Sequence, residues 1–461
     1  MRLAEALALI TELQERNAAL QAENATLGAA LQAARERVAG LEQRLADLEA
    51  SPPSSAPPWA KANRKARTQP AVPRRRRRAD QNQGRPRGEP TQFVRHAYDQ
   101  CPDCGYPLRG EAVRRRREVL ELPAVAVSVT EHQILKRYCP VCAVYKTPRG
   151  SFAGVVLGQG RIGVRLASLI GALRTSYRLP LAQIQALLAQ VYGLHLSLGG
   201  LQDILARLCR QLAPVRTQIA AQTRASPVLC MDETGWREDG LNGYLWVQAT
   251  DGLAPTRLFH YERSRSGQVA RDLLADFHGV LSTDFYAAYD WYPGPQQRCW
   301  AHLLRDAHKL GETQPDRADV QAWVTALKGL FTGARALDLA ACTPRERARV
   351  ARALERRLRA LATCYRHTAG HPAQVLAQRL HRYESELFEF IRTPQASPTN
   401  NLAERTVRPQ VITRKISGGS RSPAGSAIRC DLATVFHTWS ARDRNPFAAC
   451  LEALQIPCPQ F

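Results

Sequence analysis

Apolar residues recur at alternating steps of three and four positions along the first fifty residues of the chain. The seam consists of Leu3, Ala6, Ile10, Leu13, Asn17, Leu20, Asn24, Leu27, Leu31, Ala34, Val38, Leu41, Leu45 and Leu48. This is the spacing of coiled-coil a and d positions, and a buried asparagine at a, as at Asn17 and Asn24, favours a parallel pair in register. Residues 1–50 are therefore predicted to form a parallel coiled-coil dimerisation helix, which makes the chain a homodimer. The alternative is an amphipathic helix that packs on its own chain.

A basic segment with helix-breaking residues follows the heptads. Residues 51–58 read SPPSSAPP, and residues 61–87 contain eleven Lys and Arg against the single acid Asp80. Five of the basic residues form one block: Arg74, Arg75, Arg76, Arg77 and Arg78. Residues 51–95 are predicted to be a disordered cationic linker that contacts DNA phosphates without reading sequence. A linker that only keeps the chain soluble is the alternative.

Four cysteines occur as two Cys-x-x-Cys pairs, Cys101 with Cys104 and Cys139 with Cys142. Four thiolates complete the tetrahedral shell of one Zn²⁺ ion and leave no position for a substrate water, so the predicted site is structural. Most of the intervening residues have the pattern of strands. Residues 96–150 are thus predicted to form a zinc ribbon, with a redox dithiol as the alternative.

Helical spacing returns in residues 151–222, the region after the cysteine pairs. Residues 181–192 predict one helix, Gly193 a turn, and Ser197 the cap of a second helix. This order is typical of a helix-turn-helix that binds DNA. However, the second helix is itself apolar and has two glycines in its first turn, so a helical hairpin that only packs in the core is an equal alternative.

Composition narrows the partners and the compartment. The chain has 64 Lys and Arg against 41 Asp and Glu, a formal net charge of +23, which indicates a polyanionic partner such as nucleic acid. We find no apolar run of about 18 residues and no signal-peptide pattern at the N-terminus, so neither a membrane span nor secretion is expected. Four of the twelve cysteines form two Cys-x-x-Cys pairs and the other eight are scattered singly. This is not the spacing of a disulfide framework, so a reducing cytoplasm is expected.

Residues 223–310 contain a strand that ends at Asp232, two further strands, a helix from about residue 266, and a short strand that ends at Asp284. In a ribonuclease-H-like fold this order places the first and fourth strands side by side, so Asp232 and Asp284 would be neighbours. Such a pair of carboxylates is unfavourable unless it binds cations. Glu404, near the start of a helix capped by Thr399 or Asn400 in residues 396–415, is the expected third acid.

Four sequence blocks resemble those of a known family. They read MDETGWR, STDFYAAYD, RCWAHLLRD and TNNLAERTVRP, in this order. These blocks, with the heptads, the basic linker and the cysteine pairs, resemble the insertion sequence 66 family of bacterial transposases. The resemblance implies a multidomain α/β chain with an N-terminal coiled coil, a zinc ribbon, a helical DNA-binding region and a ribonuclease-H-like mixed sheet with an all-helical insertion. Members of the family often carry Gly/His-containing basic repeats where this chain has an arginine block.

By this resemblance, Asp232, Asp284 and Glu404 are a catalytic DDE triad that binds two Mg²⁺ or Mn²⁺ ions, and the cysteines bind one structural Zn²⁺. The implied activity is cleavage and transfer of double-stranded DNA at the inverted repeats of the element, in the bacterial cytoplasm and on the nucleoid. Accessory transposition proteins are further partners that the resemblance implies. The alternatives are a non-catalytic zinc-ribbon regulator derived from such an enzyme, and a nuclease that acts on branched DNA.

Other residues near the triad have more than one interpretation. Glu233 is expected to form a local ion pair, for instance with Arg237, and Asp290 to act as a cap. Of the remaining candidates, Trp300 and His302 lie on a predicted strand, QRCWAH, Arg405 and Arg408 lie on the Glu404 helix, and Trp236 follows the strand that ends at Asp232. Trp236, Trp300 and His302 are candidates for active-site support, with structural roles as the alternative. Arg405, Arg408 and Lys415 are candidates for phosphate binding, with local ion pairs as the alternative.

Two regions complete the predicted organisation. Residues 311–395 are rich in Arg, Ala and Leu and are predicted to be an all-helical insertion between the second and third acids. Residues 416–461 are predicted to form a Gly/Ser turn followed by two short helices.

Overall fold

The computed structural model describes most of the chain. Described are residues 3–50, 89–110, 113, 116–117, 119–122, 125–148, 152–158 and 160–455, with side chains of the first helix described for residues 16–36, 38–40 and 42. The chain divides into two compact units, Met1–Glu121 and Leu122–Phe461. The arginine block from Arg74 to Arg78 lies outside the described residues.

The first unit contains helix α1, Leu3–Ala50. Four described residues of its apolar seam, Leu20, Leu27, Leu31 and Val38, are each more than half exposed. Coiled-coil pairing would bury this seam, but dimerisation stays a prediction.

The second unit begins with a small antiparallel hairpin of β1, Arg137–Cys139, and β2, Val144–Lys146. Strands were expected over most of the interval between the cysteine pairs. For the described residues of that interval this prediction was wrong, because β1 is the one regular strand among them. The interval is rich in β-branched residues. However, two apolar side chains in its described part, those of Val119 and Leu120, are largely exposed. Without a partner that buries one face, strand propensity alone does not build a sheet.

Three helices come next: α2, Val164–Thr175; α3, Leu181–Tyr192; and α4, Leu198–Arg224. The predicted turn and cap are confirmed, since Gly193 adopts a left-handed φ of 63° and Ser197 Oγ accepts a hydrogen bond from Gly200 N at 3.0 Å. The apolar side of α4 packs in a core with α2, α3 and the C-terminal helices. Whether this segment reads bases stays a prediction.

A five-stranded mixed sheet forms the centre of the second unit. Its strands are β3, Val228–Glu238; β4, Leu241–Ala249; β5, Arg257–Glu262; β6, Val280–Thr283; and β7, Gln296–Arg298. The spatial order is β5-β4-β3-β6-β7. The first three strands are antiparallel neighbours, whereas β6 runs parallel to both β3 and β7.

Strand β3 is longer than its apolar pattern suggested. It continues six residues beyond Asp232, to Glu238, because this part pairs with β4 in a hairpin. Its pairing with β6 ends earlier, at Cys230. Asp232 is therefore not at the end of its strand, but it lies past the end of the parallel pairing.

Helices cover both faces of the sheet. On one face α5, Gly267–Leu274, packs against Leu229, Met231 and Leu281. On the other face, residues of two later helices pack against Cys230 and Val247. Alternate residues of β3 thus face different layers, as the pleat of a strand requires.

A helical segment lies between β7 and these later helices. Its members are α6, Trp300–Thr313; α7, Ala318–Arg335; α8, Pro344–Tyr365; α9, Gln374–Arg382; and α10, Glu389–Arg392. They share an apolar core of their own. The strand expected at QRCWAH was wrong beyond residue 298, because Trp300 begins α6 and its N–H donates to the carbonyl of Pro398 at 3.0 Å.

The chain ends in three described helices: α11, Asn401–Ser417; α12, Pro423–Ala441; and α13, Pro446–Leu454. Helix α11 continues through Pro409. At 19 residues, α12 is not the short helix that was expected, because its apolar face spans both the sheet and the α2–α4 core. Its hydroxyls also bind the outer strand of the sheet, since Phe259 N donates to Thr434 Oγ1 at 3.0 Å and Arg257 N to Thr438 Oγ1 at 2.9 Å.

The described part of the chain is a mixed α/β fold of thirteen α-helices, a two-stranded hairpin and the five-stranded sheet. None of the described helices is both long and apolar enough to cross a membrane.

Two histidines predict a loss of stability in acid. Burial lowers the pKa of His260 and that of His437 from the ordinary 6.5 to about 4. Since the folded state disfavours their charged forms, the stability is fully present above pH 6.5 and is lost as the pH falls toward 4. We expect the free energy of unfolding to drop by on the order of 1 to 2 kcal/mol per histidine between pH 7 and 5.

Urea unfolding at both pH values measures this drop. His437→Gln should reduce it, whereas His278→Gln, at an exposed position, should leave it unchanged. An equal drop in all three proteins would contradict the assignment to the buried histidines.

Candidate active site

The register of the parallel pair places two carboxylates next to each other. Cys230 of β3 pairs with Ser282 of β6. Asp232 lies two residues after Cys230, and Asp284 lies two residues after Ser282. Adjacent strands lie about 4.8 Å apart, and residues two apart face the same side. Asp232 and Asp284 are therefore neighbours on the sheet face that packs against α11.

Glu404 lies in the first turn of α11, which packs on the same face. The Asn400 side chain, 1% exposed, fixes the start of this helix, since its Nδ2 donates to the carbonyl of Met231 at 2.8 Å. This hydrogen bond joins the helix to β3 one residue before Asp232. Ala403 and Val407 complete the contact with Cys230 and Val247 in the apolar layer.

The three acids interact electrostatically. Burial raises the pKa of Asp232 to about 7, and the charges of Glu233, Asp284 and Glu404 add to this effect. In addition, Glu404 Oε1 is buried without a hydrogen-bond partner. Carboxylates that repel one another, with one buried oxygen that lacks a donor, are suited to divalent cations such as Mg²⁺ or Mn²⁺.

Glu233 faces the opposite side of the sheet. Its side chain, 2% exposed, accepts hydrogen bonds from Arg265 Nη2 at 2.6 Å and from the Tyr289 hydroxyl at 2.6 Å. The ion pair suggested with Arg237 was therefore wrong, because Glu233 pairs with Arg265 instead. Burial raises the pKa of Glu233, while the two hydrogen bonds oppose that shift.

The loop that carries Asp284 is held by a buried arginine. Asp284 Oδ1 accepts from Tyr286 N at 2.9 Å, and Arg298 Nη1 donates to the carbonyl of Asp284 at 2.9 Å. Arg298, 0% exposed, also forms ion pairs with Asp290 and Glu386, both at 2.6 Å. Asp290 is thus an ion-pair partner of Arg298, not only a cap. No local pattern marks a buried arginine, so this role could not be predicted from the residues around Arg298.

His302 and the neighbouring Cys299 lie beside Glu404. His302 Nδ1 is 3.5 Å from Glu404 Oε1, and Cys299 Sγ accepts a hydrogen bond from Asn400 N at 3.1 Å. The interpretation of the sequence included His302 but missed Cys299, although the Cys-x-x-His spacing was visible. His302 thus stays a candidate for active-site support.

The side chains of Trp236 and Trp300 are both buried. Trp236 is 1% exposed and its Nε1 donates to Ser420 Oγ at 3.1 Å, so its side chain belongs to the core. Trp300 is 0% exposed and packs against Phe331 and Phe388. Both are core residues, as expected for large apolar rings.

The basic residues of α11 differ in their exposure. Arg405, Arg408 and Lys415 are exposed. Arg414 is partly buried and donates to the carbonyl of Gly235 on β3. The three exposed cations are accessible to a polyanion, whereas Arg414 attaches the helix to the sheet.

The cysteine pairs are described separately because they belong to different units. In the first, Gly105 follows Cys104 with a φ of +70°, and main-chain N–H groups of Asp103 and Cys104 lower the pKa of Cys101. In the second, Ala143 follows Cys142 with a φ of +55°. The N–H of Cys142 points at Cys139 Sγ at 3.5 Å and lowers the pKa of Cys139. Both pairs thus have the same local turn and favour a thiolate, the form that binds zinc.

Comparison with known families agrees with this organisation. The profile described as "Transposase IS66 family" matches residues 159–428, which is more than half of the chain and includes all three acids. A second profile, "zinc-finger binding domain of transposase IS66", matches residues 99–143, with both cysteine pairs. The matched residues place the chain in a family of transposases. The chain belongs to the IS66 family, as its four sequence blocks had suggested.

Two curated relatives come from Sinorhizobium fredii (strain NBRC 101917 / NGR234). The uncharacterized protein y4jD is 26% identical over 333 residues, 64% of this chain and 63% of the relative. The uncharacterized protein y4qI is 27% identical over 227 residues, 44% of this chain and 41% of the relative. The chain therefore spans less than two thirds of either relative.

The buried arginine predicts a large loss of stability. Arg298→Met should leave Asp290 and Glu386 without their shared cation, which costs roughly 3 kcal/mol. Thermal unfolding would show a lower midpoint, while Arg405→Met, at an exposed position, should change it little. If both variants unfold at the wild-type temperature, Arg298 does not hold this loop.

Proposed function

We propose that the protein is a metal-dependent transposase that binds the inverted terminal repeats of an insertion sequence and cleaves and transfers DNA strands. The observation that carries this proposal is the adjacency of Asp232 and Asp284 beyond one parallel strand pair, with Glu404 on the helix above them. The order of the sheet supports a ribonuclease-H-like catalytic domain, since three antiparallel strands are followed by a fourth that is parallel to the first.

The three carboxylates would hold two Mg²⁺ or Mn²⁺ ions. When bound, such ions supply Lewis-acid activation of the attacking oxygen and stabilisation of the leaving oxygen in an in-line displacement at phosphorus. The carboxylates contribute position, because the β3–β6 register and the Asn400 hydrogen bond fix them before substrate arrives.

The reaction has two displacements. In the first, water attacks a phosphorus at the transposon end, the P–O3′ bond breaks, and a 3′-hydroxyl is released. In the second, that hydroxyl attacks a phosphorus of target DNA and forms a new P–O3′ bond, while the target's own P–O3′ bond breaks and leaves a 3′-hydroxyl on the cut target strand. Neither step requires a covalent intermediate with the protein.

Exposed cations would bind the DNA backbone. Arg405, Arg408 and Lys415 lie on α11, the helix of Glu404, so phosphates bound there would lie near the acids. The arginine block from Arg74 to Arg78 and the net charge of +23 add contacts that do not depend on base sequence.

The N-terminal regions would assemble the complex. The heptads of α1 would pair two chains, and the zinc ribbon of Cys101, Cys104, Cys139 and Cys142 would contact the transposon ends. Accessory transposition proteins would support this activity on the bacterial nucleoid in the cytoplasm.

Single substitutions of the acids test the activity. Labelled duplexes that carry the flanking repeats of the source element are incubated with Mg²⁺ or Mn²⁺ and wild type, Asp232→Asn, Asp284→Asn or Glu404→Gln. Wild type should release a 3′-hydroxyl end and form joined products, whereas each variant should bind the duplex and lose at least about 100-fold in rate. Glu233→Gln is a matched control for loss of a neighbouring carboxylate on the other face of the sheet.

Other outcomes separate the alternatives. If all proteins bind and none cuts with any metal or with the neighbouring gene products, the chain is a DNA-binding regulator. Cleavage without joined products would indicate a nuclease.

Zinc removal tests the ribbon. A strong chelator should release one Zn²⁺ from these four cysteines and unfold the Cys101 to Cys142 region, while the catalytic sheet stays folded. Metal analysis with circular dichroism measures both effects, and Cys139→Ser should reproduce them. Protein purified without chelators that contains no zinc would contradict this assignment.

A further inference from the structure

Cys299 and His302 lie at the junction between β7 and α6. Cys299 is the residue before the first helical position, and His302 is in the first turn, so the three-residue spacing places both side chains on one side of the helix. Cys299 is 0% exposed. The helix end therefore directs a sulfur and an imidazole toward Glu404 on α11.

The three side chains are close enough to share one ion. A sulfur of Cys299, a ring nitrogen of His302 and a carboxylate oxygen of Glu404 all lie within 4.8 Å of one another. The distance from His302 Nδ1 to Glu404 Oε1 is 3.5 Å. Ligands of a tetrahedral Zn²⁺ ion lie roughly 3.3 to 3.6 Å apart, so two of the three already have this spacing.

Hydrogen bonding leaves these donor atoms available. His302 Nδ1 and Glu404 Oε1 are buried, and neither has a hydrogen-bond partner. The N–H of Asn400, whose side chain is fixed on β3, donates to Cys299 Sγ at 3.1 Å and so orients the sulfur. Buried polar atoms without partners are costly, and a shared cation removes this cost.

We propose that Cys299, His302 and Glu404 bind a Zn²⁺ ion at a second site, separate from the four-cysteine site. The ligand set decides the metal, because thiolate and imidazole select Zn²⁺ over Mg²⁺, which prefers oxygen. Three protein ligands leave a fourth position for water or a phosphate oxygen. Since Glu404 is also a proposed ligand of the catalytic ions, Zn²⁺ at this site withdraws Glu404 from them and inhibits DNA cleavage, a consequence that rests on the proposed function.

Zinc content of the full-length protein tests the site. Wild type, Cys299→Ser, His302→Gln and Glu404→Gln are equilibrated with Zn²⁺, freed of excess metal and analysed by mass spectrometry of the metal. Each variant should contain one Zn²⁺ fewer per chain than wild type, whatever the four ribbon cysteines hold. Replacement by Co²⁺ should give a thiolate-to-cobalt absorption band that weakens in Cys299→Ser.

Two controls separate this site from its surroundings. Cys450→Ser removes another fully buried cysteine, from α13, and should keep the wild-type zinc content. Asp232→Asn should also keep it, because Asp232 is not a ligand of this ion. If Cys299→Ser does not fold, His302→Gln decides the result, since His302 is partly exposed.

The outcomes are distinct. Equal zinc content in wild type and the folded variants overturns the site, as does loss of zinc in Asp232→Asn. These results do not depend on DNA cleavage, so failure of the transposase proposal leaves the binding test valid. If cleavage occurs, micromolar Zn²⁺ added to Mg²⁺ should slow wild type by about tenfold or more, and His302→Gln much less relative to its own rate. Equal inhibition of both would overturn the regulatory consequence.

Discussion

The parallel pairing of β3 with β6 is the constraint on which the rest of the candidate site depends. It carries Asp232 and Asp284 to adjacent positions just beyond the paired residues, where the negative charges repel each other. The strands cannot move apart to relieve this repulsion, because apolar layers pack on both faces of the sheet. Packing energy therefore maintains a charged cluster that is unfavourable by itself, and the proposed cations would offset this cost.

Much of this architecture could be predicted from local signals. The α3 helix, the left-handed Gly193 and the Ser197 cap follow from residue types over a few positions, and the structure has all three. The order of strands, and with it the adjacency of Asp232 and Asp284, follows from short apolar runs that end in acids. The helix, the turn and the cap depend on neighbours in the sequence, whereas the adjacency of the two acids was predicted from the order of elements in a ribonuclease-H-like fold.

Contacts between distant residues were not predictable in the same way. Trp236 is buried against Ser420, 184 positions later, so its exposure could not be judged from the residues around it. In the sequence Arg298 resembles any surface cation, although its side chain is fully buried and forms ion pairs with Asp290 and Glu386. Strand β3 extends past Asp232 because β4 pairs with it, and an apolar pattern does not report a hairpin with polar residues. The sequence contained the ligands of the site, but not the side chains that position them.

The hydroxyls of Thr434 and Thr438 have a consequence for assembly. They occupy N–H groups of β5, which is an edge strand of the central sheet. An edge with free N–H groups is a template on which another chain can add a strand and start aggregation. With α12 bound there, the β5 edge is closed to such growth. Copies of the protein are thereby kept from joining through this edge of the sheet.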